Sequence, residues 1–264
     1  ERTRWSPDGL SLSGSAAGLR ETSAFRDGLI RFQDEASQLV ARLVAPQPGK
    51  RVLDLCSGWG GKTMHLAALM HNRGELTAVD LHPGKLKLLA AEALRLGVTI
   101  TAIHAGDAAA LPRDFRHAFD RVLLDAPCSG LGTLRRNPEI RWRISPSAPE
   151  AAASLQKRLL ESASACVKPG GRLVYSVCTL TPEENASVVE VLRAKGRDLR
   201  LSEERGGDAS IPPAPSGEDA SQGGFTHVSP EVRPELVSDD GFFRTFPHRH
   251  GMDGFFAAVF TRQD

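Results

Sequence analysis

The chain has 264 residues, 41% of them hydrophobic, enough to bury a full core, most simply as one large domain. Its 33 lysines and arginines against 32 acidic residues leave a formal charge of +1, which excludes a global polycation and confines any nucleic-acid surface to a local patch. No apolar stretch approaches the ~18 residues of a membrane span and the N-terminus lacks a signal-peptide core, so no membrane association is expected.

Residues 1–24 are rich in Ser, Gly and Arg and show little period. From Phe25 to Val44 the pattern turns helical in its later half, with Ala36, Leu39, Val40 and Leu43 on one face and Pro46 and Pro48 ending it. A strand is predicted at Arg51–Leu55, then a glycine-rich turn, then an apolar helix from Met64 to Met70. Glu75–Asp80 reads as a second strand closing on an acid, Lys85–Leu96 as a helix and Val98–His104 as a third strand. The alternation continues with a strand at Arg121–Leu124, a helix across Ala151–Val167, a strand at Arg172–Val177 and a helix at Glu183–Ala194. Strands alternating with helices predict an α/β fold with a doubly wound, mostly parallel sheet. Residues 202–241 lose all period to Gly, Pro, Ser, Asp and Glu and read as a long surface insertion. Phe255–Thr261 returns to strand composition and is expected to close the sheet as an antiparallel edge strand. The domain plan is a lead-in with its helix over 1–48 and one α/β domain over 49–264.

Four cysteines, Cys56, Cys128, Cys166 and Cys178, show no C-x-x-C pair, which argues against a zinc site, and no metal is expected. Their wide spacing reads as reduced thiols of an intracellular, cytoplasmic protein. Cys166, in a small-residue helix, reads as a buried hydrophobe.

The turn Asp54-Leu55-Cys56-Ser57-Gly58-Trp59-Gly60-Gly61-Lys62-Thr63 joins the first strand to the first helix of the alternation. Glycines there let backbone amides approach a ligand, and a helix N-terminus favours negative charge. Three readings compete. A Walker loop needs a Gly where Cys56 stands; a dinucleotide fingerprint needs a third Gly where Thr63 stands; an S-adenosyl-L-methionine loop tolerates looser glycine spacing. Asp80, ending the second strand, is placed to accept ribose hydroxyls, and Asp107, just past the third, to accept from an adenine amino group. Each acid alone is better read as a helix cap; a glycine loop with acids after three strands favours a shared ligand.

Cys128, in Asp125-Ala126-Pro127-Cys128-Ser129-Gly130, and Cys178, in Tyr175-Ser176-Val177-Cys178-Thr179, each lie just past an apolar strand, at the sheet edge where α/β folds bind ligands. Two thiols beside a carboxylate suggest covalent chemistry on an electrophilic ring carbon. Pro-Cys placement alone favours Cys128 as the nucleophile. Leu134–Arg143 packs four arginines and one Trp into ten residues directly after this loop. Arg135, Arg136, Arg141 and Trp142 read as RNA contacts, with a solvated basic turn as the bland alternative.

These motifs together resemble the Sun/RsmB-type branch of the Nop/Sun family of RNA cytosine-5 methyltransferases, nearly continuously over residues 25–194 and 242–262. The resemblance implies a Rossmann-like methyltransferase fold, S-adenosyl-L-methionine as cofactor, and 5-methylcytosine formed through a Cys–C6 adduct. Ribosomal RNA, 16S in particular, is the implied substrate, with transfer RNA as the alternative. It implies Cys178 as nucleophile, Cys128 assisting product release and Asp125 stabilising the adduct near N3. Cofactor contacts are implied for Cys56, Ser57, Gly58, Trp59, Gly60, Gly61, Lys62, Asp80, Asp107 and Asp125. The stretch Phe25–Gln38 matches the family's segment covering the active site, and His248–Phe256 matches its Asp-Gly-Phe-Phe ending. The family usually carries Ala-Ala-Pro or Ala-Gly-Pro where Ser57-Gly58-Trp59 stands, the one feature favouring a catalytically silent RNA-binding scaffold. A monomer is expected, and because numbering opens on Glu1, an upstream RNA-binding domain as well.

Overall fold

In the computed structural model, which describes residues 1–14, 17–194, 199–201 and 232–263, helices and strands alternate through most of the chain. The order is α1 (Ser23–Arg26), α2 (Glu35–Leu43), β1 (Arg51–Leu55), α3 (Gly61–Leu69), β2 (Glu75–Asp80), α4 (Pro83–Arg95), β3 (Thr101–Ala105), β4 (Phe119–Asp125), α5 (Ile140–Arg143), α6 (Ala148–Cys166), β5 (Val167–Val177), α7 (Ala186–Ala194), β6 (Leu199–Leu201), β7 (Phe243–Arg244), α8 (Pro247–His250) and β8 (Phe256–Arg262). The sheet runs β3-β2-β1-β4-β5-β8-β6, with β7 also paired to β8. Strands β1 to β5 are mutually parallel, and β8 is antiparallel to β5, β6 and β7.

Side-chain parity sorts the two faces, because successive residues of a strand point to opposite sides. Leu53, Val122, Leu124, Leu173, Tyr175, Phe256 and Phe260 meet Leu159, Leu160 and Ala163 of α6 and Val188 and Val189 of α7. Val52, Leu123, Val174, Ala257 and Val259 face the other way, onto Leu39, Val40 and Leu43 of α2 and Leu66 and Ala67 of α3. Leu86, Leu89 and Ala93 of α4 pack on Met64 and Ala78. Strands buried on both faces carry near-continuous apolar runs, which is why β1, β4 and β5 read so plainly as strands.

Several boundaries differ from expectation. The third strand begins at Thr101 rather than Val98, because Val98 N–H instead donates to Ala93 O and caps α4. The helix expected from Glu183 starts as a single 3-10 turn at Pro182–Glu184, and α7 follows at Ala186. The last strand does not form the sheet's edge: β8 lies inside it, with β7 beside its start and β6 beside its end. Of the expected insertion, 202–231 lies outside the described residues, while Val232 and Leu236 are buried in the α2–α3 core beside Trp5.

The lead-in is tied down at both ends. Backbone N–H groups of Trp5 and Ser6 donate to Glu35 Oε1 at 2.5 and 2.7 Å, and Trp5 Nε1 donates to His250 O at 3.0 Å. Further along, the Arg95 guanidinium of α4 donates to the carbonyls of Phe25 and Ile30 and lies 4.0 Å over the Phe25 ring. Gly28 sits between them at φ +75°, where an added Cβ would lie 2.2 Å from Arg95 O. Gly28→Ala therefore both strains the backbone and forces the segment off α4, an expected loss of about 1–3 kcal/mol. Thermal unfolding should show the loss, and limited trypsinolysis should cut first at Arg26 or Arg31. An unchanged melting curve and digestion pattern would mean that Arg95 does not hold the segment.

Candidate active site

The sheet order reverses between β1 and β4, and in open α/β sheets ligands bind at the carboxyl edge of that switch point. The turn after β1 is shaped by three left-handed positions, Cys56 at φ +61°, Gly58 at +57° and Gly60 at +79°. A Cβ on Gly60 would come 2.7 Å from Leu89 Cγ, so close packing on α4 also requires glycine there. Ser57 N–H donates to Val79 O at 3.0 Å and Gly58 N–H to Asp80 Oδ2 at 2.9 Å, which joins the turn to the end of β2. From the lead-in, Arg31 Nη1 donates to Gly60 O and Gly61 O at 2.6 and 3.0 Å.

Four carboxyl groups bear on this turn. Burial raises the Cys56 thiol well above its usual range, and the charges of Asp125, Asp80, Asp54 and Asp107 push it further. Asp80 is also pushed up by burial, but the N–H groups of His82 and Gly58 outweigh that and hold it below the ordinary carboxylate value. Asp107 is exposed and accepts from Ala109 N–H at 2.8 Å, a cap of the following turn. Asp54 is fully buried, accepts from Thr63 Oγ1 at 2.6 Å through Oδ2, and leaves Oδ1 without a partner, as Ser57 leaves its hydroxyl. So acidic a turn repels phosphates, which disfavours both the Walker and the dinucleotide readings. It suits a ligand with hydroxyl and amino donors and a positive centre. S-adenosyl-L-methionine has all three, and the buried Asp54 Oδ1 and Ser57 Oγ lie without a partner beneath the turn. Trp59 is 66% exposed rather than enclosed by the turn.

Both cysteines follow from strand register. Asp125 of β4 is paired with Ser176 of β5, and Ala126 N–H donates to Ser176 O at 2.9 Å, so the chains leave the sheet side by side. Cys128 Sγ and Cys178 Sγ end 3.2 Å apart, both half-buried. Asp125 accepts from Lys62 Nζ at 2.6 Å and from Ser176 Oγ at 2.8 Å, which bridges the glycine turn to the thiol pair. A hydrogen bond from the Cys128 thiol lowers Cys178, as does the Lys62 ammonium, against burial and the Asp125 charge. The same bond raises Cys128 well above its usual value, with burial and the Glu184 charge adding to it.

The basic segment behaves differently from expectation. Arg136 Nε donates to Asp253 Oδ2 at 2.8 Å, and Arg135 Nη2 donates to Asp34 Oδ2 at 2.9 Å and Asp253 Oδ1 at 3.4 Å. Both guanidiniums are committed to carboxylates, so they tie the loop after Cys128 to the lead-in and to the Asp253-Gly254-Phe255-Phe256 turn. Arg141 and Trp142 lie on the exposed α5, with the guanidinium 5.2 Å from the indole centre and Trp142 81% exposed. Glycines knit the same corner, since Gly132 N–H donates to Cys178 O and Gly254 N–H to Gly132 O. Sequence reasoning passed over Asp54, Asp34, Asp253 and Glu184 as functional residues. Asp54, ending a strand beside Gly-Gly-Lys-Thr, carried a usable signal. Asp34 and Asp253 lay in stretches that matched the family, but their pairing with Arg135 and Arg136 had no signal, because the partners are distant in sequence.

The description "16S rRNA methyltransferase RsmB/F" belongs to the family whose profile matches residues 41–261, and the chain belongs to that family. It is 38% identical over 253 residues to a probable ribosomal RNA small subunit methyltransferase B of Synechocystis sp., a match covering 96% of this chain and 52% of the relative. It is also 38% identical over 264 residues to the 28S rRNA (cytosine-C(5))-methyltransferase of Mus musculus, covering 98% of this chain and 31% of that protein. A methyltransferase homologue from Pyrococcus horikoshii has a TM-score of 0.75 at 30% identity, covering 99% of this chain and 77% of that one. NSun6 from the same organism, crystallised with SFG, has a TM-score of 0.74 at 30% identity, covering 93% of this chain and 56% of that one. The chain thus spans 52%, 50% and 31% of three curated relatives it matches. Fold and family are those of Rossmann-like, S-adenosyl-L-methionine-dependent methyltransferases.

Burial raises Asp54 to about 7, with the Asp125 and Asp80 charges adding and the Thr63 hydroxyl and Lys62 opposing. The folded chain therefore keeps this proton up to about pH 7, while the unfolded chain releases it near pH 4. Over that window the folded state binds more protons, so this group lowers stability as pH rises and its effect is flat above. Asp54→Asn keeps an acceptor for Thr63 and removes the decline. Variant and wild type should diverge by about 4 kcal/mol between pH 4 and 8 in denaturant titrations. Parallel stability curves would show that Asp54 does not carry the proton.

Proposed function

We propose that this chain is the catalytic part of an RNA (cytosine-5)-methyltransferase that forms 5-methylcytosine in small-subunit ribosomal RNA. The observation that carries the reading is the 3.2 Å Cys128–Cys178 pair at the carboxyl ends of adjacent parallel strands, next to the Lys62–Asp125 ion pair. Cytosine C5 is a poor nucleophile, and a thiol at C6 is the means to activate it. The Cys178 thiolate adds to C6, and the displaced electron pair makes C5 enamine-like. N3 takes a proton from solvent as the adduct forms, and Asp125, oriented by Lys62 and Ser176, accepts the resulting N3–H bond and stabilises the adduct until that proton is returned with the product. S-adenosyl-L-methionine, when bound, supplies a methyl group on a sulfonium, the electrophile for that carbon. Loss of the C5 proton then restores the C5–C6 double bond, breaks the C6–S bond and returns the thiolate, with Cys128 assisting release.

In this reading Asp80 holds the ribose hydroxyls, Asp107 the adenine amino group, and Cys56 to Lys62 the remainder of the cofactor. Arg141 and Trp142 supply backbone contact and a stacking face for the RNA. Arg135 and Arg136 act on the loop rather than on RNA, since both are engaged by Asp34 and Asp253.

Asp80→Ala should weaken S-adenosyl-L-methionine binding by roughly 1–3 kcal/mol, the loss expected when a charged hydrogen-bond partner is removed. Unchanged affinity by calorimetry would reduce Asp80 to its bonds with Gly58 and His82.

Cys178→Ala should abolish methyl transfer to ribosomal RNA while cofactor binding survives. Cys128→Ala should slow elimination and accumulate a covalent enzyme–RNA complex, seen as a retarded band on a denaturing gel when RNA and cofactor are both present. The double variant should lose that band. Trapping by Cys178→Ala instead would reverse the two roles, and full turnover by Cys128→Ala without trapping would make its thiol structural.

A further inference from the structure

Glu184 is fully buried, and its carboxylate is the point where the two cysteine loops meet. Its Oε2 accepts from Ser129 N–H, next to Cys128, at 2.9 Å, and from Gln156 Nε2 of α6 at 2.9 Å. Its Oε1 accepts from Thr181 Oγ1, three residues past Cys178, at 3.0 Å. Its backbone carbonyl accepts from the buried Tyr175 hydroxyl of β5 at 2.7 Å. Gln156 Nε2 also donates to Pro127 O at 2.9 Å, and the Ser129 and Thr179 hydroxyls are 2.9 Å apart. The loop carrying Cys128 is thereby tied to the loop carrying Cys178 through one side chain. No cationic side chain is among these partners; all the donors to Glu184 are neutral.

The surroundings of the two thiols are unequal in charge. Cys178 faces the Lys62 ammonium and the Arg136 guanidinium as well as Asp125. Cys128 is raised by the Glu184 charge, against the Gly130 N–H, which lowers it. Two thiols 3.2 Å apart share one proton when the pair ionises, and the fixed charges decide which sulfur keeps it.

We propose that Glu184 is a positioning residue that clamps the two cysteine loops together and, through its buried charge, holds the shared proton on Cys128 so that Cys178 is the sulfur that ionises. This deepens the proposed function and rests on Cys178 being the nucleophile. Tethering alone would need only hydrogen-bond acceptors; the selection between sulfurs needs the charge. The two roles separate in Glu184→Gln. A glutamine carbonyl still accepts from Ser129 and Gln156, and its amide donates to the Thr181 hydroxyl.

The test needs no RNA. Wild-type chain and Glu184→Gln are treated at neutral pH with limiting iodoacetamide, and alkylation at Cys178 and Cys128 is quantified by peptide mass. Wild type is expected to react first at Cys178, and the variant's Cys178-to-Cys128 ratio to fall by about tenfold, the effect of one pKa unit. Equal ratios in the two proteins leave Glu184 as a tether and overturn the proposal while Cys178 stays the nucleophile. Wild type reacting first at Cys128 overturns the nucleophile assignment itself, and the proposal with it. Should Glu184→Gln fail to fold, Gln156→Met serves, because stripping a donor from the buried Glu184 carboxylate disfavours its charge. Its ratio should fall below that of wild type, and an unchanged ratio overturns the proposal.

Discussion

The Lys62–Asp125 ion pair spans the switch point of the sheet and makes one site out of two separately built halves. Lys62 lies in the first turn of α3, directly after the glycine turn, and Asp125 ends β4, and their atoms meet at 2.6 Å with the lysine side chain only 10% exposed. A pair this enclosed adds little net stability, because removing both charges from water offsets most of their attraction. Its weight lies in the damage done by losing one partner: an uncompensated charge would remain beside two thiols, and the glycine turn would lose its link to the cysteine loop. Ser176 fixes the other oxygen of Asp125, so the carboxylate has one orientation. Whatever binds at the turn and whatever reacts at the thiols are therefore held to a common frame.

The same corner concentrates buried charge in a manner that a purely structural core would avoid. Asp54 lacks a partner for one oxygen, Cys56 is held in a left-handed conformation, and four carboxyl groups bear on one turn. Each feature costs stability, and unsatisfied or strained groups cluster at functional sites because the surrounding fold over-determines them. Here that support comes from the apolar layers on both faces of β1, β4 and β5 and from α4, on which Gly60 packs without room for a side chain.

How much of this the sequence disclosed depended on the range of the interaction. Strands β1 and β2 were legible to the residue, because their apolar runs and glycine boundaries are local signals. Val98 misled the reading of β3, since its apolar character serves packing beside α2, α3 and α4 while its N–H caps α4 rather than pairing. The place of β8 inside the sheet was invisible, as its outer neighbours β6 and β7 are three and two residues long. Each thiol could be placed past a strand, but their 3.2 Å separation depends on the register Asp125↔Ser176, which is a tertiary fact. Arg135 and Arg136 looked like free cations because Asp34 and Asp253 stand about a hundred residues away on either side. Glu184 was seen, but only as part of a helix start, because three of its four hydrogen-bonding partners lie outside its own turn.

The departure Ser57-Gly58-Trp59 now weighs less in favour of a silent scaffold. The backbone around it keeps its contacts: Gly58 N–H reaches Asp80, Ser57 N–H reaches Val79, and Arg31 holds the carbonyls of Gly60 and Gly61. Trp59, being 66% exposed, can change at the rim without altering the turn beneath it. A scaffold that only bound RNA would gain nothing from two thiols in contact, one beside the Lys62–Asp125 ion pair and the other under the Glu184 charge. That asymmetry has a cost in burial, and it suits the proposed reaction, in which one sulfur ionises, forms a bond to carbon and releases it while the other keeps its proton.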